Sequence, residues 1–226
     1  MKGIGMHIGL IGGIGPAATT IYYARLVEAF RTAQVTLQVT ISHSGIETLA
    51  ENARANDRQA QAKVFQKHLQ SLAGAGCDVA LVTALTGHFC YDETKALSPI
   101  ELLNGVELID RYCEVRGVNC VGILGSPTGM AIKIFGMLEK TDSVVPQQDV
   151  HRLGQTYMEI ANSGVCSEEQ RMQFFAAASG LLSTQNADAI LLGGTDLGLV
   201  FTGYSQGYPV LDAVDIHVEA FLDRAR

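Results

Sequence analysis

Two apolar segments of the sequence end in side chains that can move protons or hold an anion. Thr83, Thr86 and His88 close the first of these segments, and Thr195 and Asp196 close the second. Imidazole and carboxylate groups act as general acids and bases, whereas hydroxyl groups hydrogen-bond carboxylates. We therefore treat Thr83, His88 and Asp196 as candidate acid/base residues, and Thr86 and Thr195 as candidate ligand-binding residues.

Each of these residues also has a purely structural interpretation. A threonine that follows a strand commonly caps the next helix. A histidine in such a turn is commonly a buried residue whose two ring nitrogens are both hydrogen-bonded within the protein. The sequence leaves both interpretations open.

A glycine-rich turn follows the first apolar segment, where Gly13, Gly15 and Ala18 fit the pattern G-x-G-x-x-A. In dinucleotide-binding proteins this turn places a pyrophosphate on the backbone N–H groups of a helix N-terminus. The acidic residue that binds the ribose should follow about 20 residues later, but the next strand ends in Ser-His-Ser at 42–44. We therefore expect Gly13 and Gly15 to bind a small anion such as a carboxylate, with a simple structural turn as the alternative.

The elements that would position these residues alternate along the whole chain. The predicted strands cover 7–11, 34–41, 78–83, 118–124, 143–145, 187–192 and 209–211, and the predicted helices cover 17–32, 53–73, 86–97, 101–116, 130–139, 150–161, 167–184 and 212–224. Apolar strands that are separated by helices are typical of a parallel sheet covered on both faces. The sequence therefore predicts an α/β fold.

The two halves of the chain repeat one layout of strands, glycine-rich turns and helices. The turn at 12–16 corresponds to the turn at 125–129 in the second half. This second turn adds Ser126 and Thr128 to the candidate ligand-binding residues.

The repeat predicts two pseudo-symmetric domains, each a small parallel sheet flanked by helices. We place residues 1–98 with 208–226 in the first domain and residues 99–207 in the second. Open α/β sheets bind ligands at the carboxyl ends of their strands. We therefore expect the ligand cleft between the two domains.

Composition excludes several classes of protein. The net charge is −7, from 23 acidic and 16 basic residues, which argues against a nucleic-acid-binding surface. No apolar run reaches the roughly 18 residues of a membrane span, and the N-terminus lacks the pattern of a signal peptide. We expect a cytoplasmic protein with no nucleic-acid or membrane partner.

Two further features concern metals and assembly. The five cysteines are scattered and form no C-x-x-C pair, so we expect reduced thiols with no disulfide framework and no metal site. Charged residues make up 17% of the chain, below the roughly 25% of typical soluble domains. This low fraction suggests that part of the surface is hidden in an oligomer.

The motifs together resemble those of the aspartate/glutamate racemase family, in order and over nearly the whole chain. The resembling segments are 8–19 (IGLIGGIGPAAT), 83–88 (TALTGH), 122–129 (GILGSPTG), 193–196 (GGTD) and 209–212 (PVLD). This resemblance implies cofactor-independent chemistry on a small amino acid or dicarboxylate, and it implies a homodimer. In the family, two cysteine thiols on opposite faces of the bound amino acid remove and return its α-proton.

The resemblance places the two family cysteines at Ala84 and Gly194, which lack a group that can transfer a proton. These two positions belong to the expected ligand-binding set. The asparagine of the family motif falls on Leu85, and Asp196 stands where the family has glutamate. Loss of a positioned general base typically slows a reaction by about 10² to 10⁴-fold. The two-thiol mechanism is therefore not expected here.

Three functions remain open from the sequence. The protein could be an isomerase that works without the two thiols, using Thr83, His88 or Asp196. It could be a non-catalytic ligand-binding or regulatory relative. It could be a lyase or decarboxylase that uses one proton donor and a desolvated site.

Overall fold

A computed structural model of the chain describes residues 5–13, 16–131, 136 and 138–226. Gly15, one of the expected ligand-binding residues, lies outside the described residues. The side chain of Thr128 also lies outside what is described. The chain divides into two compact units: the chain up to Leu108 together with His217–Arg226, and the segment Ile109–Ile216.

The first unit contains a four-stranded parallel sheet in the order β2-β1-β3-β4. Its strands are β1 (Met6–Gly12), β2 (Leu37–His43), β3 (Val79–Val82) and β4 (Glu101–Leu102). The helices along this part of the chain are α1 (Pro16–Ala33), α2 (Ile46–Ala55), α3 (Arg58–Gly74), a 3₁₀ helix (Leu85–Cys90), α4 (Tyr91–Leu97) and α5 (Gly105–Arg116). All four residues of β3 are buried.

The second unit repeats this topology with a parallel sheet in the order β6-β5-β7-β8. Its strands are β5 (Cys120–Leu124), β6 (Asp142–Val144), β7 (Ala189–Leu192) and β8 (Val210–Asp212). The helices along this part of the chain are α6 (Pro127–Ala131), α7 (Val150–Ser163), α8 (Glu168–Thr184), a 3₁₀ helix (Thr195–Leu197), α9 (Gly198–Phe201) and α10 (Ala213–Arg224), the last of which continues into the first unit. Ile160 of α7, Phe174 of α8 and Ile190 of β7 are fully buried in its core.

The structure confirms the predicted α/β fold with two small parallel sheets flanked by helices. The full burial of β3 and β7 explains why both segments are continuously apolar, since each central strand is covered on both faces. Each fully buried large apolar side chain contributes about 1.5–3 kcal/mol relative to an exposed one.

Several predicted elements have different bounds. The predicted helix 53–73 is two helices, because Asn56 adopts a left-handed conformation (φ 52°) and the Asp57 carboxylate caps the second helix by accepting the Ala60 N–H. The predicted helix 86–97 begins as a 3₁₀ helix. The predicted helix 130–139 begins at Pro127, and residues 138–140 are not helical.

The sequence suggested domain boundaries after residues 98 and 207. The two units instead divide the chain after residues 108 and 216. β4 pairs with β3 and therefore belongs to the first sheet. β8 likewise pairs with β7 and belongs to the second sheet. The chain passes between units within α5 and within α10, after each of these edge strands has been added.

Candidate functional site

The ends of β1 and β3 are tied together by Thr83 in the first unit. Its backbone N–H donates to the carbonyl of Ile11 at 3.0 Å, and its hydroxyl donates to the same carbonyl at 3.1 Å. The side chain is 2% exposed. Thr83, a candidate acid/base residue, therefore uses its hydroxyl proton to hold the two strand ends together.

The second unit has an equivalent junction between β5 and β7. The N–H of Gly193 donates to the carbonyl of Leu124 at 2.7 Å, as Thr83 does to Ile11. The next residues, Ala84 and Gly194, each precede a 3₁₀ helix in extended conformation, with φ/ψ of −109°/120° and −143°/126°. Ala84 and Gly194 therefore occupy equivalent positions at the carboxyl ends of equivalent strands.

Position 194 has no room for a side chain. A Cβ atom there would lie 2.5 Å from both Cε2 and Oη of Tyr157 and 2.7 Å from Cζ. Real Cβ atoms do not approach other heavy atoms this closely, so the tyrosine ring of α7 occupies that space. Glycine at this position is thus a requirement of the packing around Tyr157.

The Tyr157 hydroxyl donates to Oδ2 of Asp196 at 3.0 Å. Both residues are buried, with 8% and 9% of their surfaces exposed. Burial, together with the adjacent Asp196 carboxylate, raises the pKa of the Tyr157 phenol well above its usual value. The phenol therefore stays protonated and acts as a hydrogen-bond donor to the carboxylate.

His88 is fully engaged within the first unit. Its Nε2 accepts the N–H of Gly105 at 2.9 Å, so its Nδ1 carries the proton and lies 3.3 Å from the carbonyl of Ala84. Burial lowers the pKa of His88 to about 4. These contacts match the structural interpretation of a buried, neutral histidine.

A second buried histidine extends this network from the other side of Gly105. His217 Nε2 lies 2.8 Å from the carbonyl of Gly105, and its Nδ1 lies 2.6 Å from the hydroxyl of Tyr22. The carbonyl can only accept, so Nε2 donates and Nδ1 accepts the tyrosine proton. Burial lowers the pKa of His217 to about 3. The network joins α1, α5, α10 and the 3₁₀ helix at 85–90.

Gly13 adopts a conformation that favours glycine, with φ of 86°. Its N–H donates to the Thr19 hydroxyl at 2.9 Å. A Cβ at this position would lie 2.5 Å from Nδ1 of His43. A cavity of about 320 Å³ opens beside this turn and is lined by Gly13, Thr19, Thr20, Tyr23, Ile41 and His43. The Gly13 N–H is thus held by the protein, as a structural turn requires.

The remaining candidate ligand-binding residues differ in how their hydroxyls are used. Ser126 accepts the N–H of Gly129 at 3.0 Å and so stabilises the start of α6. Thr86 and Thr195 are half-buried beside the strand ends. Within the part of the chain that the structure describes, neither threonine hydroxyl has a hydrogen-bond partner. These two hydroxyls are therefore available to a ligand.

A protein-family model for Asp/Glu/Hydantoin racemases matches residues 11–221. The chain belongs to this family. The sequence resemblance to the aspartate/glutamate racemases is thereby confirmed. The match covers both units and includes every candidate site residue.

Solved structures share the fold of this Asp/Glu/Hydantoin racemase family member. A proposed Asp/Glu racemase from Yersinia pestis is 23% identical with a TM-score of 0.85, covering 97% of this chain and 99% of that chain. An aspartate racemase homologue from Pyrococcus horikoshii is 21% identical with a TM-score of 0.83, covering 97% and 98%. An arylmalonate decarboxylase is 14% identical with a TM-score of 0.59, covering 99% and 93%.

The cysteines of this family member are all free, and none follows a strand end as Ala84 and Gly194 do. Cys90 is fully buried, and its thiol lies 3.5 Å from the carbonyl of Gly87 and 3.5 Å from the hydroxyl of Thr94. Burial raises the pKa of Cys90 to about 11. A thiol with this pKa is a poor base near neutral pH.

The candidate site residues follow the ends of four strands, with Gly13 after β1 and Ser126 after β5. Thr83, Ala84, Thr86 and His88 follow β3 in the first unit, whereas Gly194, Thr195 and Asp196 follow β7 in the second. Among the described residues, no three histidine, cysteine or acidic side chains are grouped as metal ligands. No described helix is long and apolar enough to cross a membrane.

Sequence reasoning missed Tyr157, although this residue contacts two of the candidate positions. Tyr157 lies in the middle of α7 and meets Asp196 across a separation of 39 residues. A helical pattern alone does not reveal such a contact. The available signal in the sequence was Gly194. Its extended backbone conformation does not require glycine, so the absence of a side chain indicates that another group packs against this position.

Proposed function

We propose that this family member binds a small amino acid or other small carboxylate at the carboxyl ends of its strands, without racemising it by a two-thiol mechanism. Family membership supports a small carboxylate as ligand. In open α/β sheets, ligands bind at the carboxyl ends of the strands. The hydroxyls of Thr86 and Thr195, which lie beside such ends, can donate to a carboxylate.

The observation that carries the proposal is the equivalence of Ala84 and Gly194. Both follow a central strand and precede a 3₁₀ helix, and neither side chain can transfer a proton. Thr83 and His88 do not replace the two bases, since the Thr83 hydroxyl is held by Ile11 and both nitrogens of His88 are engaged. Ligand binding without two-base chemistry is the function that this geometry supports best.

A second candidate function is that of a lyase, and the Tyr157–Asp196 pair favours it over an isomerase. Decarboxylation breaks the bond between the α-carbon and a carboxylate, releases CO₂, and leaves a carbanion that takes up one proton. This reaction needs a single proton donor, whereas racemisation needs proton transfer on both faces of the substrate. The buried pair can supply one proton, and water can return a proton to it.

Three expectations from the sequence stay predictions within this proposal. These are the ligand cleft between the domains, the homodimer and the cytoplasmic location. Cofactor independence, which the family resemblance implies, also stays a prediction.

Ligand-induced stabilisation tests the proposal. The melting temperature would be measured with L- and D-aspartate, L- and D-glutamate, alanine, succinate and phenylmalonate, followed by calorimetric Kd values for those that raise it. Thr86→Ala and Thr195→Ala are each expected to weaken binding by roughly 3- to 10-fold, because a net hydrogen bond contributes about 0.5–1.5 kcal/mol.

Thr32→Ala is the matched control, because Thr32 is exposed on α1 away from the strand ends. This variant should bind with the wild-type Kd. The proposal would be overturned if no small carboxylate stabilised the protein, or if both site variants bound as tightly as the control.

A further inference from the structure

We propose that the outer edge of β2, together with the exposed stripe of α1 beside it, is the surface through which two copies of this chain associate. Strand β2 (Leu37–His43) of one copy pairs antiparallel with β2 of the second copy and joins the two four-stranded sheets into one. The inference rests on the homodimer predicted above and assigns a surface to it. Ligand binding at the strand ends does not depend on this surface.

The backbone of β2 has hydrogen-bonding groups that point away from the rest of its sheet. β2 is an outermost strand, and β1 is its one partner among the described strands. Helices α1 and α3 both contact β2, but a helix cannot continue the ladder of strand hydrogen bonds. The outward N–H and C=O groups of an outer strand are a template for pairing with another strand.

The other three outer strands of the described sheets are protected against such pairing. β4, β6 and β8 have only two or three residues, and each includes an acidic side chain: Glu101, Asp142 or Asp212. Short length and charge are common devices that prevent edge-to-edge association. β2 has neither device, because it is seven residues long and residues 32–46 contain no aspartate, glutamate, lysine or arginine.

Exposed apolar side chains lie beside this edge. Ile41 of β2 is 41% exposed, and Tyr23 and Val27 of α1 are 50% and 38% exposed. Thr20, Tyr23, Ala24 and Val27 have the spacing i, i+3, i+4, i+7, so they form one stripe on the exposed side of α1. The outer face of a surface helix is normally charged or polar. This stripe is uncharged and mostly apolar, which is typical of a face that another protein covers.

The stripe and the strand form one surface, which we call the β2 surface. Thr20 and Tyr23 of α1 line the cavity of about 320 Å³ together with Ile41 and His43 of β2. Side chains two residues apart on a strand share a face, so Val39 lies on the same face as Ile41 and His43. The cavity offers room for apolar side chains of whatever docks here.

A second copy of this chain is the occupant that the charges favour. The chain has a net charge of −7, so two copies repel each other unless they meet through a surface without acidic residues. The β2 surface provides this. Glu28, beyond the end of the stripe, is neutralised by an ion pair with Arg31 at 2.8 Å. The charged pair therefore lies at the rim, where interfaces are normally polar.

Symmetry supplies the geometry of the pairing. A two-fold axis brings one patch onto its own copy and makes the two β2 strands antiparallel. The register that pairs all seven residues places the axis at Thr40. Ile41 of one copy then lies opposite Val39 of the second copy, and Leu37 lies opposite His43. Pairs of β-branched side chains such as Ile and Val stabilise antiparallel strands.

The oligomeric state tests this inference. Sedimentation equilibrium would be measured at micromolar concentrations, where the wild-type protein is expected to be a dimer. Ile41→Lys should raise the dimer dissociation constant more than about 10-fold, because a lysine on an edge strand blocks pairing. Val115→Lys is the matched control and should keep the wild-type value, since Val115 is 78% exposed on α5.

Hydrogen exchange with mass spectrometry locates the interface. The amides of residues 37–43 are expected to exchange more slowly in the wild-type dimer than in Ile41→Lys, whereas exchange of residues 142–144 in β6 should be the same in both. Circular dichroism would check that the variants are folded. Val27→Lys, on the exposed stripe of α1, should also weaken the dimer and decides the question if Ile41→Lys does not fold.

The outcomes are distinct. A wild-type protein that stays monomeric overturns the inference together with the homodimer, and leaves the β2 surface to a different partner. A dimer whose dissociation constant is unchanged in folded Ile41→Lys or Val27→Lys uses another surface and overturns the inference alone. The same holds if Val115→Lys weakens the dimer as strongly as they do. Stabilisation by small carboxylates, measured separately through the melting temperature, decides the proposed function in every case.

Discussion

At the residue scale, the ring of Tyr157 fills the space at the end of β7 that a side chain at position 194 would need. Gly194→Ala is expected to lower the free energy of unfolding by about 1–3 kcal/mol, because an added methyl in a filled site forces the ring or the backbone to move. The change would be measured by urea denaturation. Gly180→Ala is the matched control, since a Cβ at Gly180 in α8 meets no other atom within 4 Å.

The control variant should instead gain about 0.5–1 kcal/mol, as alanine is favoured over glycine inside a helix. In a Tyr157→Ala background, the cost of Gly194→Ala should disappear, because the competing ring is gone. Equal effects of the two glycine substitutions in the wild-type background would show that position 194 is not filled as described.

The candidate site could be predicted from the sequence only as far as local signals reach. The turns after β3 and β7 were identified because their polar residues follow apolar strands directly. The roles of Thr83 and His88 were not decidable, since their partners Ile11 and Gly105 are contributed by other elements. Tyr157 was missed for the same reason: its contact with Asp196 depends on how α7 packs.

At the element scale, two buried histidines hold four elements of the first unit together through Gly105. Both folded pKa values, about 4 for His88 and about 3 for His217, lie below the ordinary value of 6.5. The unfolded chain therefore binds protons first as the pH falls. The contribution of each histidine is fully present above about pH 6.5 and is lost progressively as the pH falls from there to the folded pKa, about 4 for His88 and about 3 for His217.

Between about pH 6 and pH 4, each histidine should remove about 1.4 kcal/mol of stability per pH unit. At pH 7.5, His217→Gln is expected to have a lower free energy of unfolding than the wild-type protein. Between about pH 6 and pH 4, however, its free energy of unfolding should decrease by about 1.4 kcal/mol less per pH unit than that of the wild type, because one titrating histidine is missing. Urea denaturation at several pH values measures the slope. His151→Gln, at an exposed residue of α7, should keep the wild-type slope; an unchanged slope in His217→Gln would contradict the network.

The long helices and the central strands could be predicted because each has a hydrophobic pattern that is clear in the sequence over its whole length. α1, α8 and the central strands lie close to their predicted bounds. The errors involve short or special geometry: β4 has two residues, and the break between α2 and α3 depends on one left-handed residue, Asn56. Strand pairing of so few residues is decided by the neighbouring strand and leaves almost no trace in the local sequence.

At the scale of the whole molecule, the first unit is built from two separated parts of the chain. His217–Arg226 returns to it after the second unit is complete. Phe221 and His217 of this segment are fully buried. Deletion of residues 217–226 is therefore expected to unfold the first unit, because it leaves a cavity and removes the hydrogen bonds that His217 makes with Tyr22 and Gly105.

Limited proteolysis with mass spectrometry would measure this effect. New cleavage sites are expected before Leu108, while segment 109–216, with its own sheet and core, should stay resistant. Deletion of Arg226 alone should change nothing, as that residue is exposed. Equal resistance of the two units in the longer deletion would contradict the division of the chain described above.

The most direct test of the central claim is proton NMR in D₂O of the wild-type protein with each amino acid that raises its melting temperature. The account predicts that the α-proton signal keeps its intensity, matching a heat-killed control, because neither Ala84 nor Gly194 supplies a base. Loss of the α-proton signal above that control would contradict the claim and show that this protein exchanges protons without the two thiols.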